Sequence, residues 1–409
     1  MRFIADFHIH SKYSRATSHE MTVGKIAEAA RTKGVKLVGS ADFTHPKWLE
    51  ELEQTVKPTR EGLFAYDDTY FILVTEVNTT YTQNGKLRRI HHMIFAPDFD
   101  SVHRINEKLA AYGNLMADGR PTLLIDSKKL VELMLQVGED VWVIPSHVWT
   151  PWFSLFGSNS GFDSIEECFG DHTDRIIALE TGLSSDPAMN WRLSGLDRFT
   201  LISNSDAHSP SRIGREANCL DCELSYPEIM DTIRNKDRER FLFTIEFFPQ
   251  EGKYHYDGHR KCDVRVAPRE AMSNHDLCPV CSKRLTIGVL HRIETLSDRE
   301  EGFVPPNAIP FKSLIPLDEI IGDTLGVGVD TQTVRNEYKK LISVFNTEFS
   351  ILLDASIDAV GEVAAPEVAE GIRRVREGKV RIIPGYDGVY GEIRIFEKKE
   401  KQPSQLSLF

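Results

Sequence analysis

The 409-residue chain contains no apolar run approaching the ~20 residues a membrane-spanning helix needs, which excludes a helical membrane protein. Its first residues, Met1-Arg-Phe-Ile-Ala-Asp6, lack the charged-then-apolar pattern of a signal peptide. The expectation is a cytoplasmic protein with no membrane partner. Cysteine is scarce: there are six, and four of them fall in two Cys-x-x-Cys pairs. That pattern suits metal binding in a reducing compartment better than a disulfide framework. An excess of positive charge is also missing, because 49 Lys and Arg face 61 Asp and Glu for a formal net charge of -12. The balance argues mildly against nucleic acid without excluding it, since carboxylates gathered around cations make a face whose local sign the bound ions reverse.

What is present is a long alternation. Arg2 to Ile9, Val35 to Ala41, Tyr70 to Val77, His91 to Ala96, Val141 to Ser146, Arg175 to Glu180 and Phe199 to Ser203 read as strands. Val23 to Thr32, Ser127 to Val137 and Tyr226 to Arg234 read as helices between them. Such a sequence of elements favours an α/β barrel or wound sheet over residues 1–248. Residues 249–304 are polar and dotted with Cys and His, 305–396 are mainly helical, and 397–409 form a charged tether.

Chemistry-bearing residues collect at the strand ends. His8 and His10 lie one residue apart where the first strand ends, and alternation along a strand sends both to one side. Asp206 and His208 repeat that geometry after Thr200 to Asn204. Asp42, Glu76 and His147 each follow an apolar run, while His91 and His92 open theirs. A single such His is more often a satisfied structural group. Five or six at once are hard to read that way, because burying them unpaired is costly. The set predicts a multinuclear site for borderline cations such as Zn²⁺ or Mn²⁺. Cations a few ångströms apart favour hydrolysis of a phosphate ester, with Mg²⁺ or Mn²⁺ as further catalytic candidates, and no Ser or Cys nucleophile is required.

The order His-x-His, Glu after a strand, His before an apolar run, Ser-His and Ser-Asp-Ala-His resembles the polymerase and histidinol phosphatase (PHP) superfamily over residues 1–248. The resemblance implies a distorted (β/α)7 barrel. It also implies that His8, His10, Glu76 and Asp206 hold one ion, with Glu76 bridging to a second ion on His92 and His147. His208 and Asp42 would complete an outer position. Of the adjacent pair, His92 is favoured over His91 because His92-Met-Ile-Phe-Ala matches the superfamily's strand start.

A second metal signal is Cys278-Pro-Val-Cys281, preceded by Cys262 and by His255, His259 and His275. It predicts a structural zinc on His259, Cys262, Cys278 and Cys281, with His255 as a less favoured fourth ligand. Cys219 and Cys222 with Cys278 and Cys281 make a rival four-thiolate site.

A PHP barrel followed by this zinc module and a helical segment is similar to the endonuclease Q family. The carrying text is Asp42-Phe-Thr-His-Pro46, Ile90-His-His-Met-Ile-Phe-Ala-Pro97, Ser146-His-Val-Trp-Thr-Pro-Trp-Phe153, Asn204-Ser-Asp-Ala-His208, Lys253-Tyr-His-Tyr-Asp-Gly-His259 and Gly385-Tyr-Asp-Gly-Val-Tyr-Gly-Glu392. The resemblance implies a DNA repair endonuclease that cuts 5′ to hypoxanthine, uracil, xanthine or an abasic site. Such an enzyme must unstack the base, and Trp149, Trp152 and Phe153 are candidates for wedge or pocket. Arg373, Arg374 and Arg376 are candidates for phosphate contact. The terminal Gln405, Leu406, Leu408 and Phe409 match the peptide by which bacterial partners dock on the sliding clamp. Two other classes stand beside this reading: a small-molecule phosphatase of histidinol phosphatase type, and a non-catalytic clamp-tethered DNA-binding scaffold.

Overall fold

A computed structural model describes residues 1–59 and 61–396; the tail 397–409, with Gln405, Leu406, Leu408 and Phe409, lies outside the described residues. The first strand, Arg2–Asp6, runs parallel to Leu37–Gly39, which runs parallel to Thr69–Gln83. The helix between the first two, Val23–Lys33, starts on the Thr22 cap and stops at Gly34, whose φ of 90° lets the chain reverse into the next strand.

The sheet then departs from a simple βα repeat. Asn84 and Gly85, both at positive φ, form a two-residue turn that folds Thr69–Gln83 back onto Lys86–Ala96 as a long antiparallel hairpin. Trp142–Pro145 adds antiparallel to that hairpin, and Ala217–Asp221 adds antiparallel to Arg2–Asp6 on the other side. Ala178–Glu180 and Thr200–Ile202 form a separate parallel pair. An isolated bridge between Ile9 and Ala207 returns the exit of that pair to the exit of the first strand. The result is a mixed α/β fold with parallel strands at its centre.

Successive residues of one strand enter different apolar clusters. Phe3 and Ala5 pack with Ile72, Met93 and Ile144, whereas Ile4 packs with Val38, Leu73 and Ile94. Both faces of the sheet are therefore covered, as parallel strands require. The helical expectation for the last third holds over Leu317–Leu325, Gln332–Phe345, Ile357–Val363 and Pro366–Arg376. That third also supplies Phe311–Ser313, which joins the main sheet beside Phe241–Glu246. Arg381–Ile383 and Glu392–Arg394 form a small hairpin, and the loop between them bridges Tyr386 to Tyr256 of the Cys/His-rich region.

Candidate metal centre

The bridge between Ile9 and Ala207 sets the register of the site. With those two residues paired, His8 and His10 flank one partner and Asp206 and His208 the other, so both sequence pairs meet at the same rim. His10 Nε2 lies 3.0 Å from Asp206 Oδ1, and the His10 and His208 rings are 4.6 Å apart. Glu76 enters from the long strand and divides its oxygens. Oε2 faces His8 Nε2 at 3.5 Å and His10 Nε2 at 3.4 Å, while Oε1 faces His91 Nδ1 at 2.9 Å and His147 Nε2 at 3.0 Å. His8, His10 and Glu76, then His10, Asp206 and His208, then Glu76, His91 and His147 form three contiguous groups of ligand atoms.

His92 is not among them, which corrects the sequence reading. Asn78 pairs with His91 and Val77 with His92, so it is His91 that shares the face of Glu76. His92 points to the opposite face, where its Nε2 meets Ser127 Oγ at 3.0 Å and Thr79 Oγ1 at 3.2 Å. The two histidines sit inside the strand Lys86–Ala96 and do not open it. Asp42 is likewise corrected from ligand to support. Its Oδ1 accepts from His10 Nδ1 at 2.9 Å, and its Oδ2 accepts from the backbone N and Oγ of Ser11, both at 2.6 Å.

Two functional residues were missed. Glu180, at the end of its strand, lies 3.0 Å from His8 Nδ1, accepts the backbone N–H of His147 at 2.8 Å and takes Asn204 Nδ2 at 2.9 Å. It does for His8 what Asp42 does for His10: a carboxylate on Nδ1 turns Nε2 toward the cup. The signal was available, since Glu180 closes an apolar run just as Glu76 follows one. Arg120 donates from Nη1 to Glu76 Oε2 at 3.0 Å and keeps 26% of its side chain exposed. No strand pattern marks Arg120, because a loop delivers it.

The electrostatics and backbone of the cup agree with cation binding. Burial would raise the Glu76 carboxyl, yet His91, Arg120 and His8 hold it well below the usual carboxylate range. Burial opposes ionisation of Asp206 as well, and His10 and His8 override it. Burial pushes His91 down to about 4 against the pull of the Glu76 carboxylate. His147 and Asp206 sit at φ of 30° and 47°, a left-handed backbone that non-glycine residues adopt at a cost of ~1–3 kcal/mol each. His8 Nε2, His10 Nε2 and Asp206 Oδ1 are buried and make no well-aligned hydrogen bond, although His10 Nε2 and Asp206 Oδ1 stand only 3.0 Å apart. Orphaned donors and acceptors of this kind cost ~1–3 kcal/mol apiece, so their convergence fits residues shaped to hold metal.

In the Cys/His-rich region His259, Cys262, Cys278 and Cys281 bring four ligand atoms within 4.8 Å of one another. Burial works against thiolate formation at Cys278, but the backbone N–H groups of Val280 and Cys281 pull its pKa down. Donors of this kind suit zinc. The rival thiolate set is not assembled: Cys219 is buried in the strand Ala217–Asp221, where Arg2 Nε lies 3.4 Å from its sulfur. His255 stays outside the ligand group, buried and stacked on Tyr256.

The remaining sequence candidates divide. Trp149 is buried, stacked on Phe156 at 4.6 Å and bonded to Asn190, which gives it a packing role. Trp152 is exposed, and the Phe153 ring lies 5.2 Å from that of His91. Arg373 pairs with Glu370 and Glu377, Arg374 with Glu370, and Arg376 donates to the carbonyls of Leu352 and Ile351. Arg373 and Arg374 thus pair within their own helix at a partly exposed face, and only Arg376 is tied to backbone carbonyls.

Residues 316–379 match the MJ0043 C-terminal domain family. The chain is 34% identical over 258 residues to protein MJ0043 of Methanocaldococcus jannaschii, a match that covers 61% of this chain but only 32% of that longer relative. The fold is similar to the crystal structure of the lesion-specific endonuclease PfuEndoQ from Pyrococcus furiosus, with a TM-score of 0.88, 33% identity, and coverage of 99% of this chain and 98% of that one. It is also similar to an endonuclease Q crystallised with a 27-mer duplex bearing an abasic lesion at the active site, with a TM-score of 0.86, 33% identity and 99% of each chain covered. With the PHP-type ligand order, the Cys/His group and a likeness that runs almost from end to end, the chain belongs to the endonuclease Q family.

Proposed function

We propose that the chain is a metal-dependent DNA repair endonuclease that hydrolyses the phosphodiester 5′ to a deaminated base (hypoxanthine, uracil or xanthine) or to an abasic site. The observation that carries this reading is the divided carboxylate of Glu76, one oxygen turned to His8 and His10 and the other to His91 and His147. A carboxylate shared in this way is what a pair of adjacent cations needs. The relative held with an abasic duplex supports the class of substrate.

Zinc, manganese or magnesium ions held by His8, His10, Glu76, His91, His147, Asp206 and His208 would activate water and offset the charge gathering on the phosphoryl oxygens. The chain's own residues prepare the site. Asp42 and Glu180 fix the rings of His10 and His8, and Arg120 fixes Glu76 while presenting its remaining N–H groups to an entering phosphate. His208, half-buried at the rim, completes the outer position.

On this reading residues 1–248 are a distorted (β/α)7 PHP barrel that does the cutting. Residues 249–304 are a module built on a structural zinc, residues 305–396 a DNA-binding segment, and the peptide in 397–409 a dock for the sliding clamp. The test is a labelled duplex with one hypoxanthine, resolved on a denaturing gel with and without Mg²⁺ or Mn²⁺. A metal-dependent nick 5′ to the lesion is the expected result. Release of phosphate from a phosphomonoester with no nick would replace this reading by the small-molecule phosphatase.

A further inference from the structure

Four aromatic side chains from three distant segments run outward from the metal cup. Phe153 begins the series, its ring 5.2 Å from that of the ligand His91. Its φ of 60° is a strained value for a bulky residue, and its carbonyl accepts the His91 backbone N–H at 3.1 Å, which ties the loop to the site. Trp152 comes next, 43% exposed, with its ring edge-on to Tyr254 at 5.3 Å. Tyr254 stands against the glycine-rich loop: a Cβ on Gly388 would lie 3.7 Å from its hydroxyl and 3.3 Å from an Arg260 nitrogen. Tyr390 ends the series on the same loop, 70% exposed.

Cations interleave with these rings. Arg89 lies 5.5 Å from the Phe153 centroid and Lys253 4.4 Å from that of Tyr390. The loop carrying Tyr390 is held in place, since Asp387 accepts from the Arg260 backbone N–H and from Thr286 Oγ1, both at 2.6 Å. Tyr386 donates to Asp263 at 2.6 Å. Trp152 and Tyr390 remain 43% and 70% exposed although the support beneath them is held in place, which packing alone does not account for. Flat exposed faces alternating with positive charge, and continuous with a phosphate-cleaving cup, match unstacked bases on an anionic backbone.

We infer that Phe153, Trp152, Tyr254 and Tyr390, with Arg89 and Lys253, form a stacking track for the unpaired bases next to the scissile phosphate, carrying that strand from the metal cup onto the zinc module. The inference rests on the endonuclease reading and adds to it the path of the substrate. In an intact duplex the faces of the bases are occupied by one another, so the track acts only on DNA opened at the lesion.

The test is fluorescence anisotropy of a labelled oligothymidylate with the full-length protein, alongside nicking of the lesion duplex by the wild type. Trp152→Ala and Tyr390→Ala should each weaken binding by about tenfold, the effect of losing one stacked base. Tyr390→Phe, which keeps the ring, should bind as the wild type does, with circular dichroism and zinc content unchanged in all three. Unaltered affinity in both alanine variants, while the wild type still nicks, overturns the track and leaves the nuclease reading standing. A wild type that binds the oligonucleotide but never nicks the lesion duplex sinks the nuclease reading instead.

Discussion

His10 Nδ1 and Asp42 Oδ1 meet at 2.9 Å, both fully buried, so that one ring nitrogen is spoken for and the other faces the cup. Removing the carboxylate frees the ring to turn and lowers the basicity of its outward nitrogen. Asp42→Ala is expected to cost ~10–100-fold in metal affinity, and Glu180→Ala to do the same through His8. Isothermal titration with Zn²⁺ or Mn²⁺ measures both, and Asp42→Asn should lie between wild type and alanine.

Adjacent histidines provide a sharper test. His91 faces Glu76 and His147, whereas His92 faces Ser127 and Thr79. His91→Ala should therefore reduce bound catalytic metal and cut activity by at least about a hundredfold. His92→Ala should keep the metal and lose ~1–3 kcal/mol of stability instead. Metal analysis with thermal melts separates them, and the opposite pattern would restore the assignment made from the sequence.

Arg120 joins the cup through Glu76 Oε2 while staying partly exposed. Arg120→Ala is expected to lower kcat/KM for the lesion duplex ~10–100-fold with little change in metal content. Arg120→Lys should recover part of it, since lysine restores the charge without the two-pronged geometry.

Removing one thiolate should unmake the Cys/His group without touching the cup. Cys278→Ser is expected to lose one zinc per chain and to lower the melting temperature, because structural zinc contributes folding energy directly. Metal analysis of this variant against Glu76→Gln distinguishes the two kinds of site.

A buried carboxyl behind the cup sets a pH dependence of stability. Burial, with Asp186 nearby, pushes Glu246 above its ordinary value of 4.5. The folded chain keeps that proton after the unfolded chain has released it. Its stabilising contribution is thus complete below the ordinary value and disappears as the pH rises through the folded value. The melting temperature should fall between about pH 5 and about pH 8, and Glu246→Gln should flatten that slope.

The sequence and structure agree where alternation and apolar runs carry the information. The helix at Tyr226–Arg234 and the strand exits bearing His8, His147 and Asp206 could be read directly, because each depends on local periodicity, whereas Glu76 lies inside the strand Thr69–Gln83 and not at its end. The choice between His91 and His92 went wrong because it followed a family pattern where strand register decides. The missing clue was Asn84-Gly85, a strong hairpin turn: counting back from it pairs His91 with Asn78, on the face of Glu76. Arg120 and the support role of Asp42 depend on loops meeting across the rim, which no local pattern encodes.

The short strand Phe311–Ser313 lies along Phe241–Glu246, at the margin of the main sheet. Any truncation before Pro310 strips that cover and bares a row of backbone donors and acceptors ready to template a neighbour. The final third of the polypeptide thus covers an edge of the sheet that carries the cup, and shortened versions should be difficult to keep dispersed however sound their cup.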